Sequence, residues 1–387
     1  MSASRPPISS TRAALSFGVF FAALFSGLGV YLPYWPVWLK HHGMSPREIG
    51  VLVALPLIAR SVASPALARV IDRTGHRRRA IGLLALGALV VFLFYGGARS
   101  FTPLLLIGIG FGFCFSSLSP LADNLATLTA REHELDYGRV RLWGSVAFLV
   151  MAMAAGEALN GHSPDILFPL GATCIAACAL TAWLLPPIAA DDEGDGDGPG
   201  GAGLPRRRDF ALLCLASALV QGSHGTYYGF STLHWQESGL SERIIGVLWA
   251  EAVVAEIVLF AFATALLRRV GATGLLLIGA SAALLRWPLT AACTGVVPLA
   301  ALQLLHALSF GATHFACVAW IGRRIPVHRS ATAQSILGAA TGLGVAAGTA
   351  VAGELYARDP AHAFRFMAAP VAVGIAIVLW RRRAWSE

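Results

Sequence analysis

Charge is scarce in this sequence. Only 13% of its 387 residues are Asp, Glu, Lys or Arg, against about a quarter in an average globular domain, while 56% are hydrophobic and the mean hydropathy is +0.66. A chain with so little charge is not a water-soluble fold. Strict apolar–polar alternation is missing too, which excludes a membrane β-barrel. Cysteine is sparse: Cys114, Cys174, Cys178, Cys214, Cys293 and Cys317 all sit inside apolar runs. Cys174 and Cys178 share a helix face, yet no His or acidic residue lies near them in sequence. Packing as small hydrophobes therefore accounts for them better than a metal or redox site. There is no HExxH, no paired metal motif and no nucleophile motif with a suitable base, so neither an enzyme nor a cofactor is expected. The GIGFG run near Gly108 lacks the strand that a dinucleotide fingerprint needs, and close helix packing explains it better.

Long apolar runs are abundant. Stretches of about 20 residues, each able to cross a hydrocarbon core of about 30 Å as a helix, recur along the whole chain. They predict an all-α membrane protein with twelve spans, near 13–39, 48–68, 80–98, 102–125, 140–159, 165–187, 210–235, 244–267, 272–294, 297–321, 331–356 and 361–380. The first run has neither the short apolar core nor the small-residue cleavage site of a signal peptide, so it is expected to remain as the first span.

The net charge of +8 is almost wholly arginine and is dispersed between the runs, which favours a topological reading over a nucleic-acid partner. Arg5, Arg12, the cluster from Arg69 to Arg79, that from Arg131 to Arg141, and those at Arg206 to Arg208, Arg268 and Arg269, Arg323 to Arg329 and Arg381 to Arg383 fall on one side. The other side has only Lys40, Arg47, Arg99, Arg243, Arg358 and Arg365. Both termini are thus expected in the cytoplasm, with the chain in the cell inner membrane.

One long hydrophilic stretch, Ala189 to Asp209, interrupts the runs. Its glycine, proline and acidic residues predict a flexible linker at 188–209 between bundles at 1–187 and 210–387. The halves are related. GMSPREIGVLVA (Gly43 to Ala54) recurs as GLSERIIGVLWA (Gly239 to Ala250) at an offset of 196, which also maps Tyr31 onto Tyr227 and Gly75 onto Gly271. Two parallel six-helix halves are typical of transporters whose site lies between them.

A charge near mid-bilayer costs about 2.5–3.5 kcal/mol on insertion scales, so each one is a functional candidate. Arg60 lies in the middle of the second span, and Glu256 occupies the equivalent repeat position in the eighth. Both are expected to face a central cleft, with membership of a structural ion pair as the competing reading. Glu251 and Arg286 are also embedded, while Asp123 ends the fourth span and Arg141 begins the fifth. Gln221, His224 and Tyr228 follow three-and-four spacing in the seventh span; Gln303, His306 and, two turns on, His314 share a face in the tenth. Tyr31, Trp35 and Trp38 form a stripe in the first. The histidines are open to either helix-to-helix hydrogen bonding or a binding or relay role, and the aromatic stripe to packing or ligand stacking.

YLPYWPVWLK (Tyr31 to Lys40), PLADNLA (Pro120 to Ala126), DYGRVRLWGSVAF (Asp136 to Phe148), QGSHGTYYGFSTLHWQ (Gln221 to Gln236), VVAEIVLFA (Val253 to Ala261) and LLRWP (Leu284 to Pro288) together resemble the major facilitator superfamily. Within it, they resemble the phenylpropionate permease group, related to lactose permease-type proton symporters. DRTGHRRR (Asp72 to Arg79) resembles the superfamily's gating loop, with Asp72, Arg73, Gly75 and Arg77 as its residues and Ala68 in place of the usual leading glycine. The resemblance implies that Arg141 binds substrate, partnered by Asp123 eighteen positions earlier. Two helix positions differ by about 200°, so Arg139 can hold the aqueous side while Arg141 turns inward. By the same resemblance Glu256, Arg286 and His306 are coupling residues, with Arg60 and His314 added as candidates. Ser309 stands where the lactose symporter has its proton-releasing glutamate, so the carrier is Glu256, Asp123 or a histidine.

The resulting expectation is a secondary transporter, working as a monomer, that imports a small aromatic carboxylate with a proton. Arg141 would hold the carboxylate through two parallel hydrogen bonds. Asp123 would orient it, and Tyr31, Trp35, Trp143, Gln221, His224 and Tyr228 would complete the site, with no metal. A proton-driven exporter of drugs or metabolites and a non-transporting sensor are the alternatives.

Overall fold

The repeat is visible in the backbone before any packing is considered. Gly43 and Gly239 both take positive φ (83° and 86°), and so do Gly75 and Gly271 (65° and 70°). Glycine alone occupies this region without strain, so residue type places a turn at matching positions in each half, with Gly75 left-handed (ψ 0°) and Gly271 extended in ψ (170°). After Gly43, a capping box opens α2 (Pro46–Thr74). Ser45 Oγ accepts from the Glu48 N–H at 3.4 Å, and the Glu48 carboxylate accepts from the Ser45 N–H at 2.8 Å. Gly271 divides α10 (Glu242–Ala292), a run of 51 residues, into two helices.

The computed structural model describes residues 9–133, 135–187 and 207–386, and every regular element among them is helical. The others, in chain order, are α1 (Ser10–His41), α3 (Arg77–Leu93), α4 (Phe101–Ser116), α5 (Leu118–His133), α6 (Tyr137–Leu159), α7 (Leu167–Thr181), α8 (Arg207–Gly222), α9 (His224–Glu237), α11 (Val296–His306), α12 (Thr313–Arg324), α13 (Val327–Tyr356), α14 (Pro360–Phe366) and α15 (Ala368–Ser386). Nine helical stretches among the described residues are long and apolar enough to cross a membrane. Glu242–Ala292 contains two crossings, and α2 and the α8–α9 column supply two more, which gives the twelve-helix bundle that the apolar runs predict. Most of the expected linker, 188–206, lies outside the described residues.

Four of the crossings are less regular than their hydropathy implies, the twelfth among them, which breaks at Met367. The fourth is broken at Ser117 and runs on to His133, well beyond the expected 125. The seventh breaks at Ser223, and the tenth carries a π-helical turn at Ala307–Ala312. Ser117 Oγ donates to Phe113 O at 2.7 Å and Ser223 Oγ to Val220 O at 2.6 Å. Such back-bonding competes with the backbone ladder at both breaks. Hydropathy averages over a window and does not register it.

The two halves are joined along two seams at the end that carries the turns at Gly43 and Gly239. On one, a Cβ on Gly50 of α2 would meet Gly353 Cα of α13 at 2.9 Å; on the other, a Cβ on Gly246 of α10 would meet Ala152 O of α6 at 2.8 Å. Gly50 and Gly246 are repeat mates, and only glycine permits both approaches. Each seam is flanked by an arginine one repeat from the other. Arg47 pairs with Glu354 at 2.8 Å, and Arg243 holds Glu157 through Nε and Nη2 at 2.5 and 2.8 Å. Thr232 Oγ1 donates across the halves to Pro33 O at 2.6 Å, and Lys40 reaches Glu237 at 2.7 Å. Midway along α2, Ser61 still touches Gly342 of α13.

Candidate functional site

Asp136 begins α6 by accepting from the Arg139 N–H at 3.1 Å, and this sets the rotation of the arginines that follow. Arg139 faces water at 88% exposure, paired with Asp136 at 3.2 Å. Arg141, two residues on, turns the other way: its Nε lies 3.4 Å from Asp123 Oδ1 of α5. Its guanidinium sits over the Phe25 ring at 3.9 Å and the Phe21 ring at 5.4 Å, both on α1. Asp123 is held by more than this pair. Tyr137 Oη donates to its Oδ1 at 2.9 Å, and Ser119 Oγ to its Oδ2 at 3.2 Å. The arrangement is a guanidinium ion-paired through Nε on an aromatic floor, with Nη1 beside Gly144.

The second half holds a denser network. Arg286, 1% exposed, donates to His306 Nδ1 at 2.8 Å, to Ser309 Oγ at 3.3 Å and to Gln303 Oε1 at 2.6 Å. Its plane also stands over the Tyr227 and Trp287 rings, at 4.6 and 4.8 Å. Gln303 Nε2 donates to Tyr227 Oη at 3.2 Å and to Leu248 O at 3.3 Å. His306 Nε2 lies 2.8 Å from Glu256 Oε1.

Guanidinium has only donors, so His306 Nδ1 must accept and the ring proton resides on Nε2, directed at Glu256. His224 is the mirror case: Nδ1 donates to Val220 O at 3.3 Å, so Nε2 accepts from Ser309 Oγ at 3.1 Å. A continuous polar path therefore runs Glu256, His306, Arg286, Ser309, His224. The π-helical turn directly after His306 lets His306 and Ser309 both face Arg286.

Gln221, His224 and Tyr228 converge on this region, as their spacing predicts. Gln221 Nε2 donates to Phe310 O at 3.0 Å, and the His224 ring lies 6.2 Å from that of Tyr228. His314 is exposed and acts on Glu256 electrostatically. Trp143 is 61% exposed and lies against Gly18, clear of the Arg141 pocket floor. Trp35 is enclosed in an aromatic core between Trp38, Phe92 and Tyr95, and Tyr31 stacks on it at 5.3 Å. This pair belongs to the packing of the first half. Arg60 is half-buried in the middle of α2. In the gating loop, Gly75 caps α2 with its N–H on Ile71 O, and Arg77 opens α3. The side chains of Asp72 and Arg73 lie outside the described residues.

Sequence reasoning gave Glu157 and Glu354, near span ends, no part in the site. It overlooked their arginines, although Arg47 and Arg243 stand in the repeated block itself. It also overlooked Tyr137 and the floor of Phe21 and Phe25. Tyr137 is inside the arginine motif, but the phenylalanines carry no polar signal that separates them from ordinary span residues.

Comparison with known proteins agrees with this architecture. The chain matches the model of the MFS_1 like family over residues 14–366. It is 35% identical over 321 residues to the "Probable 3-phenylpropionic acid transporter" of Escherichia coli (strain K12), covering 82% of this chain and 83% of the relative. It is also 27% identical over 372 residues to the maltose permease of Geobacillus stearothermophilus, covering 94% and 93%. Among solved structures it superposes on the nucleoside transporter NupG with a TM-score of 0.80 at 16% identity, covering 95% of this chain and 98% of that one, a likeness of fold alone. With twelve helices in two related halves and ionised side chains held between them, this chain belongs to the MFS_1-like family of major facilitator superfamily transporters.

Proposed function

We propose that this transporter imports a small aromatic carboxylate together with a proton, by alternating access across the cell inner membrane. The observation that carries the reading is Arg141. A guanidinium tethered through Nε and floored by two phenylalanines is complementary to an aryl acid, offering two parallel N–H donors for the carboxylate and ring faces for the aryl group. The similarity to a phenylpropionic acid transporter supports that substrate class.

Coupling follows from the second half. While Glu256 is ionised, its charge balances Arg286 through His306. A proton on Glu256 leaves Arg286 uncompensated in a buried setting, and an incoming carboxylate restores neutrality. Proton and anion thus favour each other's binding, as an importer of acids requires. With the arginine-rich loops in the cytoplasm, the sealed seams close the periplasmic mouth and the site faces inward.

The test is uptake of radiolabelled 3-phenylpropionate and aliphatic acids into proteoliposomes, with and without an inward proton gradient. Accumulation of the aromatic acid that collapses with the gradient is expected. Accumulation only in the opposite orientation, without response to aromatic acids, would identify an exporter.

A further inference from the structure

Three arginines lie deep in the spans, and two of them have polar or charged partners in the protein. Arg141 has Asp123, and Arg286 has His306, Gln303, Ser309 and, through the imidazole, Glu256. Arg60 differs: among the described residues no hydrogen bond, ion pair or charged neighbour is found for it. Glu251 is the other embedded charged group without such a partner, and the two do not act on each other.

The repeat indicates which way Arg60 faces. Gly50 and Gly246 occupy equivalent seam positions, so the offset of 196 holds in space for α2 and α10. Counting ten residues from each reaches Arg60 and Glu256. Glu256 turns inward to His306, and the repeat assigns Arg60 the corresponding orientation, at the depth where Ser61 touches Gly342 of the opposite half. A lone guanidinium at this depth is costly unless an anion meets it.

We propose that Arg60 is the charge-selecting residue of the transport path: the carried anion is its counter-ion. The proposal rests on the reading that an organic anion is transported. The divisions of labour are distinct. While Glu256 is ionised, the Arg141–Asp123 and Arg286–Glu256 sets are each neutral overall, so Arg141 contributes a directional fork and Arg60 a standing unit of positive charge that meets the carboxylate, to which protonation of Glu256 adds the unit that couples the proton. The site would accept monovalent organic carboxylates and reject their neutral isosteres.

The experiment measures binding of 3-phenylpropionate and of its neutral amide to the purified full-length transporter, and the melting temperature of the ligand-free protein. The proteins compared are wild type, Arg60→Gln, Arg60→Lys and Arg141→Gln, each checked for monodispersity. Wild type is expected to prefer the carboxylate. Arg60→Gln should lower that preference on the order of tenfold or more, while Arg60→Lys retains most of it. Ligand-free Arg60→Gln should melt above wild type, because an unmatched charge has been removed; Arg141→Gln should melt below it, because Asp123 is stranded. Unchanged carboxylate preference in Arg60→Gln overturns the proposal and leaves the transport reading intact. If wild type binds neither compound, the aromatic-acid reading fails, and melting decides for Arg60. A higher melting temperature for Arg60→Gln upholds the unpartnered cation, and an equal or lower one refutes it.

Discussion

Arg141 in the first half and Arg286 in the second stand on one duplicated plan, yet their surroundings differ. Arg141 keeps 27% of its side chain exposed and meets its carboxylate directly, with aromatic faces beneath. Arg286 is 1% exposed, and every group it touches by hydrogen bond is neutral; its carboxylate lies one imidazole away. An accessible fork is suited to a ligand that arrives and leaves. A buried cation whose Nη donors are taken up by neutral groups is suited to sensing the protonation state of one neighbour, because low dielectric strengthens the effect of a single charge. Under the proposed function, the first setting holds solute and the second couples it to protons.

The contrast can be broken by mutation. The largest effect is expected from Arg286→Met, which strands His306, Gln303 and Ser309 acceptors in a dry interior. Transport should vanish and the melting temperature should fall, a loss of about 3–5 kcal/mol for one partner removed from a buried set. A stable, active variant would show that the network is dispensable. Next, Glu256→Gln should abolish proton-driven accumulation while solute exchange across the membrane continues, measured as counterflow in proteoliposomes. Accumulation at the wild-type level would remove Glu256 from coupling.

Arg141→Lys keeps the charge but loses the planar fork. Its KM for 3-phenylpropionate should rise by about one to two orders of magnitude, with membrane insertion and melting temperature nearly unchanged. If coupling fails in this variant while affinity holds, the division between halves is wrong. The smallest effect is expected from Ser309→Ala, which removes the link between Arg286 and His224. Uptake should drop only several-fold, about 1 kcal/mol, and the pH profile of uptake should shift. A profile identical to wild type would confine coupling to His306 and Glu256.

Much of the bundle was legible because the bilayer imposes a length and a composition on anything that crosses it. Where the chain departs from regular helix, at Ser117, Ser223, Met367 and the turn after His306, the departure is confined to one turn, which apolar averages do not see. The arginine motif could be parsed in advance because helix geometry alone separates Arg139 from Arg141. Trp35 shows the opposite case: periodicity marked a stripe, but only packing reveals that it is enclosed by Phe92 and Tyr95. Likewise the pairing of Arg47 with Glu354 joins positions 307 residues apart, and no local pattern links them.

By itself, then, the sequence determined the membrane setting, the helical crossings, the duplicated turns at Gly43 and Gly239, and the identities of the embedded charges. Each of these follows from local stereochemistry or from the cost of taking polar groups out of water. Only the tertiary structure decided which charges meet. It directed the His306 proton at Glu256, surrounded Arg286 with neutral acceptors, and left Arg60 without a partner among the described residues. Those outcomes depend on distances between helices remote in the chain, where electrostatic and hydrogen-bond energies are set.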